Sequence, residues 1–178
     1  MTTRHMTTSS TVTPTPLTPM TLAAGAAAIG TAAVGGLCYA FSTLVMGGLD
    51  RIEPVQAITA IRGINAEASA NPPFLLLFFV PSLLSLGVGA GALRQLGRPG
   101  SGLLLAGAVF GMVSTVVTIA IHLPLNDQID AVNPEGLSAA DAAREWASYL
   151  DPWMAWNHVR SGSGFVAAAL LLLGLRHR

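Results

Sequence analysis

The chain alternates between long runs without charge and polar connections. Four apolar runs stand out, over Leu22–Met46, Pro73–Leu93, Gly102–Ile121 and Trp153–Leu175. Each holds roughly 20 residues or more, which at ~1.5 Å per residue crosses a ~30 Å hydrocarbon core. None contains a carboxylate, and Arg160 is the only charge well inside a run. In lipid the backbone must bond to itself, so these runs are predicted to be helices. The expected fold class is all-α: a four-helix transmembrane bundle with two short amphipathic helices in its outer loops.

The connections carry their own signals. Within Pro54–Ala68, Val55, Ile58, Ile61 and Ile64 recur every three residues, predicting an amphipathic helix. Between His122 and Pro152, Ser138 reads as an N-cap with Asp141 three residues on, so Ala139–Leu150 is predicted as a second short helix. Asp151 would then cap the fourth span, with Pro152 at its first helical position. Arg94–Ser101 contains Gly97, Pro99 and Gly100 and reads as a tight turn, making spans two and three an antiparallel hairpin. Residues 1–20 are predicted to be a disordered Thr-, Ser- and Pro-rich tail, without the apolar core of a signal peptide. Met6 and Met20 are alternative starts. Residues 21–178 form the membrane domain.

Small residues four apart suit close helix packing, which matters where lipid removes the hydrophobic drive to associate. They occur as Ala28, Ala32 and Gly36, as Gly87 and Gly91, and as Gly107, Gly111 and Thr115.

Composition agrees with the pattern. Charged residues are 10% and hydrophobic ones 52%, where soluble domains carry about 25% charged. Net charge is zero, so no basic surface points to nucleic acid. All the cations are arginines, and with abundant Ala and Gly this points to a GC-rich bacterial genome. Arg4, Arg94, Arg98, Arg176 and Arg178 lie on the tail, the tight turn and the C-terminus, whereas every carboxylate lies in the two long connections. The positive-inside rule therefore places both termini in the cytoplasm of a multi-pass cell-membrane protein. Cys38 is the only cysteine, which excludes an intramolecular disulfide and a cysteine-cluster metal site.

Candidate chemistry gathers toward the outer halves of the spans. The first carries Cys38, Tyr39, Ser42 and Thr43; the third carries Thr115 and Thr118 and leads to His122 and Asn126; the fourth opens with Asn157, His158 and Arg160. Arg160 lies ~12 Å beyond Pro152 along a helix axis. It either lines a cavity or snorkels to a loop carboxylate. Trp146, Tyr149, Trp153 and Trp156 approach helical spacing and read as an interfacial belt or as a ring-binding wall. His122 and His158 are candidate bases, because imidazole is the side chain suited to proton transfer near neutral pH. Without an accompanying carboxylate pattern they do not make a metal site. No flavin, haem, dinucleotide, P-loop or H-E-x-x-H motif is present. The predicted site is a pocket lined by Arg160, Asn157, Asn126 and His122, with Trp153 or Tyr149 at its mouth.

Four segments in order carry a family resemblance: FSTLVMGGL at Phe41–Leu49, AITAIRGIN at Ala57–Asn65 followed by NPPFLLLFF, LPLND at Leu123–Asp127, and WMAWNHVRS at Trp153–Ser161. From about Gly35 onward the chain resembles the anthrone oxygenase-like family of small four-span membrane proteins. The resemblance implies oxidation of an anthrone to an anthraquinone by molecular oxygen and a site at Asn126, Trp153, Asn157 and Arg160; since no flavin, haem or metal motif is visible, the expected oxidation is cofactor-free, through a stabilised carbanion. His122 stands where many relatives have Asn. On that basis the leading expectation is a membrane oxygenase for a flat, hydrophobic phenolic or quinone-like small molecule. In it His158 or His122 is the base, and Arg160 with Asn157 holds the oxyanion. The competing expectation is a non-catalytic membrane protein that binds a lipid-like ligand or a partner protein. Transport fits less well, because no inverted repeat or broken span is visible. Association into a homo-oligomer is left open.

Overall fold

The computed structural model describes residues 18–178, all of its regular structure helical. Five helices account for most of it: α1 Pro19–Leu49, α2 Pro54–Ala70, α3 Pro72–Leu93, α4 Ser101–Asp130 and α5 Ala139–Arg176. All except α2 are long and apolar enough to cross a membrane. They pack in cyclic order, α1 against α3 and α5, and α4 against α3 and α5. The chain thus runs up and down around a square. One pole holds the start of α1, the end of α5 and the α3–α4 turn. The other, the loop pole, holds α2 and the extensions of α1, α4 and α5. The expected tail lies outside the described residues except at its end, where the Thr18 hydroxyl caps α1 by accepting from Thr21 N–H.

Helix boundaries differ from the sequence reading at two prolines. The third span does not stop near Ile121; α4 continues to Asp130. Pro124 has no N–H and its ring crowds the carbonyl four residues back. The helix absorbs this in a π turn over Thr118–His122, where Leu123 N–H bonds Thr118 O. The Ala139–Leu150 segment is helical as expected, but it is not a separate helix. It runs through Pro152 into the fourth span, so Asp151 is not a cap. The carbonyl that Pro152 deprives of a partner belongs to Ser148, which is exposed. Water can therefore take over the missing bond, and the helix need not break. Ser138 does cap this long helix, its hydroxyl accepting from Asp141 N–H at 3.2 Å.

Close packing follows a small-residue face, shifted in places from the expected one. On α4, a Cβ at Gly107 would lie 2.9 Å from Leu171 and one at Gly111 2.4 Å from Ser85 Oγ. On α1 the crossing is at Gly35, not Gly36: Gly35 meets Gly164 of α5, where a Cβ would lie 2.7 Å from Thr31 O. Gly36 and Gly87 face open space. A helix face is set by the 3.6-residue turn, so a string of fours drifts off the contact line. The turn after α3 depends on Gly100, the one residue with positive φ (77°) among those described.

Two apolar clusters result. Ala24, Ala27, Ala28, Val88, Ala92, Leu104 and Leu171 fill the bundle near the terminal pole. At the loop pole Met46, Ile58, Ile61, Ile129, Trp146, Tyr149 and Trp153 form a second core under α2. This cap stands beyond the apolar stretch, where burying a side chain such as Ile58 is worth about 2 kcal/mol. The aromatic belt is thereby corrected: Trp146, Tyr149 and Trp153 are buried within the protein, and only Trp156 is exposed, at 41%. Trp146 Nε1 donates to Asp50 Oδ1 at 3.0 Å and ties the cap to the end of α1.

Candidate functional site

Between the cap and the bundle lies a cavity of about 950 Å³, counting its open mouth. Every helix contributes to it: Cys38 and Phe41 from α1, Asn65 from α2, Phe74 and Phe78 from α3, Thr118, His122 and Asn126 from α4, and Trp153, Asn157 and Arg160 from α5. Both π turns border it, Phe41–Val45 on α1 and Thr118–His122 on α4. A π turn re-aims side chains and alters the carbonyl ladder, and such turns recur at functional sites.

Arg160 is only 6% exposed, and its guanidinium carbon stands 5.1 Å over the Phe78 ring. It does not snorkel. Its Nε is buried without a partner, and among the described residues no carboxylate pairs with it. Residues 1–17 contain no carboxylate either. The ring face returns up to ~2 kcal/mol, less than the several kcal/mol that burying an unpaired cation costs. The protein keeps a buried positive charge facing a cavity with mostly aromatic and aliphatic walls.

His122 is 2% exposed, and neither ring nitrogen has a hydrogen-bond partner. Its ring meets Trp153 edge-on, with centroids 5.0 Å apart. The α4 π turn carries it into the cavity instead of leaving it at the end of a span. Asn157 is 1% exposed and serves differently from the expectation. Its Nδ2 donates to Cys38 O at 2.7 Å and to Ser42 Oγ at 2.7 Å. Cys38 lies three residues before the π turn of α1, and its carbonyl also accepts from Phe41 N–H. Both amide hydrogens are committed, so Asn157 offers the cavity an acceptor and cannot donate to an oxyanion. Asn126 is the reverse case. Its Oδ1 accepts from Tyr149 Oη at 3.1 Å, leaving its N–H₂ available as a donor.

The sequence-predicted residues thus divide. Arg160, Asn157, Asn126, His122 and Trp153 meet in one cavity. Tyr149 sits behind Asn126, orienting it rather than standing at the mouth. His158 is exposed and off the lining, because one residue beyond Asn157 is a ~100° turn of the helix. It is not placed to act as the base. Sequence reasoning missed Phe78, Phe74 and Asn65. The first two share a helix face in NPPFLLLFF, a spacing that could have marked them. Asn65 follows the isoleucine stripe of α2 and donates to Asp130 Oδ1 at 3.1 Å. Among the described residues no three His, Cys, Asp or Glu side chains cluster as metal ligands would.

A family model described as anthrone oxygenase matches residues 73–170, more than half of the chain. The chain belongs to the anthrone oxygenase family. The matched stretch contains Phe78, His122, Asn126, Trp153, Asn157 and Arg160, so most of the cavity's polar lining falls within the family region. Cys38 and Asn65 fall outside it. No curated protein and no solved structure matches the chain.

Proposed function

We propose that this protein is a membrane oxygenase that converts the methylene of a flat, anthrone-like aromatic ketone to a carbonyl with molecular oxygen. The observation that carries the reading is the unpaired Arg160 cation, buried in an aromatic-walled cavity beside a histidine with both nitrogens free. A methylene between two aromatic rings, across from a ring carbonyl, loses a proton readily. The charge then moves onto the ketone oxygen. His122 is the base that takes the proton. Arg160 and the Asn126 N–H₂ group stabilise the oxyanion, in a dry site where such interactions count most. The carbanion carbon is oxidised as it bonds one oxygen atom of O₂, and the proton held on His122 passes to the distal oxygen. Loss of water from the resulting hydroperoxide leaves the quinone. One O₂ is consumed, and one quinone and one water are formed per methylene.

The test is oxygen uptake with anthrone by protein reconstituted in vesicles, alongside absorbance of the anthraquinone. Wild type is expected to consume one O₂ per quinone. Arg160→Leu and His122→Phe should each lower turnover about 100-fold, the usual scale for losing an oxyanion donor or a general base. Turnover equal to wild type in both variants would remove the proposal. A second reading is binding without turnover. It is favoured by His122 lacking the hydrogen-bonded acceptor that usually fixes the tautomer of a working histidine. In that case anthrone binds, Arg160→Leu abolishes binding, and no quinone appears.

A further inference from the structure

The mouth of the cavity is unusual in what surrounds it. Leu75 and Phe79 of α3 and Ile119 and Leu123 of α4 all line the cavity and are also exposed, at 37%, 46%, 56% and 47%. These are large apolar side chains on the outer surface of two helices with span-like composition. Just beyond them the helices are clasped, with Ser82 Oγ and Thr115 Oγ1 2.5 Å apart. Phe79 lies one turn from Ser82 on α3, and Ile119 one turn from Thr115 on α4. From the clasp toward the loop pole the two helices therefore stand on either side of the opening. Phe79 is ~10 Å along α3 from Pro72, inside the apolar stretch rather than at its edge. Phe78, its neighbour, faces Arg160, so the opening lies at the depth of the buried cation.

We infer that the opening between α3 and α4 is a lateral portal through which a bilayer-dissolved aromatic ligand enters the cavity directly from lipid. This rests on the proposed oxygenase site only for the identity of the ligand; the route is read from the mouth itself. A water-filled entrance would need polar rims. On α4 the polar lining groups are only half-exposed, Thr118 with its hydroxyl donating to Ser114 O and Asn126 beneath the cap, and the exposed polar side chain of the lining, Ser69, lies on α2. The cap, packed on its own core, covers the loop pole. An apolar ligand is concentrated in the bilayer, so a doorway there meets far more of it than one in water. The arrangement also selects shape. A ligand that enters between two helices is thin, and one that reaches Arg160 presents its oxygen-bearing edge first.

The test separates route from chemistry by following binding alone. The probe is 1,8-dihydroxyanthraquinone, a quinone that is not turned over, dissolved in phosphatidylcholine vesicles and mixed with vesicles holding the protein. Its arrival is read from quenching of tryptophan emission that is lost in Arg160→Leu. The double variant Ile119→Phe/Leu123→Phe should slow the association rate at least fivefold while leaving the final bound fraction within twofold. The widened variant Leu75→Ala/Ile119→Ala should bind at least as fast as wild type and guards against a failure of the bulky pair to fold. Ser69→Phe, on the polar side, should leave the rate unchanged. Slowing by Ser69→Phe with no slowing by the bulky pair would overturn the portal in favour of entry from water. Equal rates in all variants would overturn it as well. If the portal variants behave as expected while wild type forms no quinone from anthrone, the route stands and the oxygenase reading falls.

Discussion

At the scale of single residues, stability and function pull apart within two turns of α5. Asn157 and Arg160 share a helix face, and both were expected to touch the ligand. Asn157 proves to be a brace: two 2.7 Å bonds hold the π turn of α1. Replacing it by Leu removes two buried hydrogen bonds and leaves the Ser42 hydroxyl without its donor, so Asn157→Leu should cost about 2 kcal/mol. The fall would be read from the thermal midpoint in detergent. Arg160 is the opposite, a buried charge without a protein partner. Arg160→Leu should leave the midpoint unchanged or raise it, since removing an uncompensated buried charge relieves a cost. Arg160→Lys should keep a fraction of ligand binding, because it retains the charge and loses the planar donor fork. A marked drop in the midpoint of Arg160→Leu would mean that the guanidinium braces the fold. The position of Arg160 inside an apolar run made it legible in sequence. The role of Asn157 was not, because its partners are 119 and 115 residues away and one of them is a backbone carbonyl.

At the scale of helices, periodicity located each span but could not see how prolines would be handled. Pro152 read as a helix start and the third span as ending near Ile121, ahead of Pro124, yet both prolines lie inside continuous helices. A proline ends a helix only if the carbonyl it deprives finds no other partner. The exposed Ser148 and the π turn at Thr118–His122 supply two different solutions. The π turns have no sequence signature, and His122 lies on one of them, so the fine geometry of the site was beyond reach of pattern. Packing was legible in part. Gly111 lay on the expected face and does meet Ser85 and Thr31, whereas Gly87 faces open space. Gly111→Leu should therefore destabilise the bundle by about 1–3 kcal/mol, the scale of overpacking a tight contact, and Gly87→Leu should be neutral. The pair is measured as unfolding midpoints in one detergent. Equal effects would show that the glycines act through helix propensity instead of close approach.

At the scale of the whole molecule, the bundle sorts charge between its poles. The two long connections supplied all the carboxylates, and the fold brings those connections together: Asp50 bonds Trp146, Asp130 accepts from Asn65, and Glu67 accepts from the Asn71 cap of α3. Only Arg51, Arg62 and Arg144 accompany them there. The terminal pole holds Arg94, Arg98, Arg176 and Arg178 with no carboxylate side chain. Arg178 reaches Gln95 Oε1 at 3.3 Å, joining the C-terminus to the α3–α4 turn. Four spans bring the start of α1 and the end of α5 to this pole, and Met20 packs on Gly91 there. The arginines lie in short segments beside span ends, where they weigh most in setting orientation, so the terminal pole is expected to face the cytoplasm. A reporter enzyme active only in the cytoplasm should work when fused after Arg178 and be silent when inserted at Glu135. The reverse pattern would invert the molecule, putting the cap and the Ser69 side of the cavity in the cytoplasm. Because the portal opens to lipid in either orientation, its test is unaffected by that outcome. Replacing Arg94 and Arg98 by Gln should raise the fraction of inverted molecules, since it removes two of the five arginines expected on the cytoplasmic side. No change in the reporter ratio would show that the acidic loop pole, and not the arginines, holds the orientation.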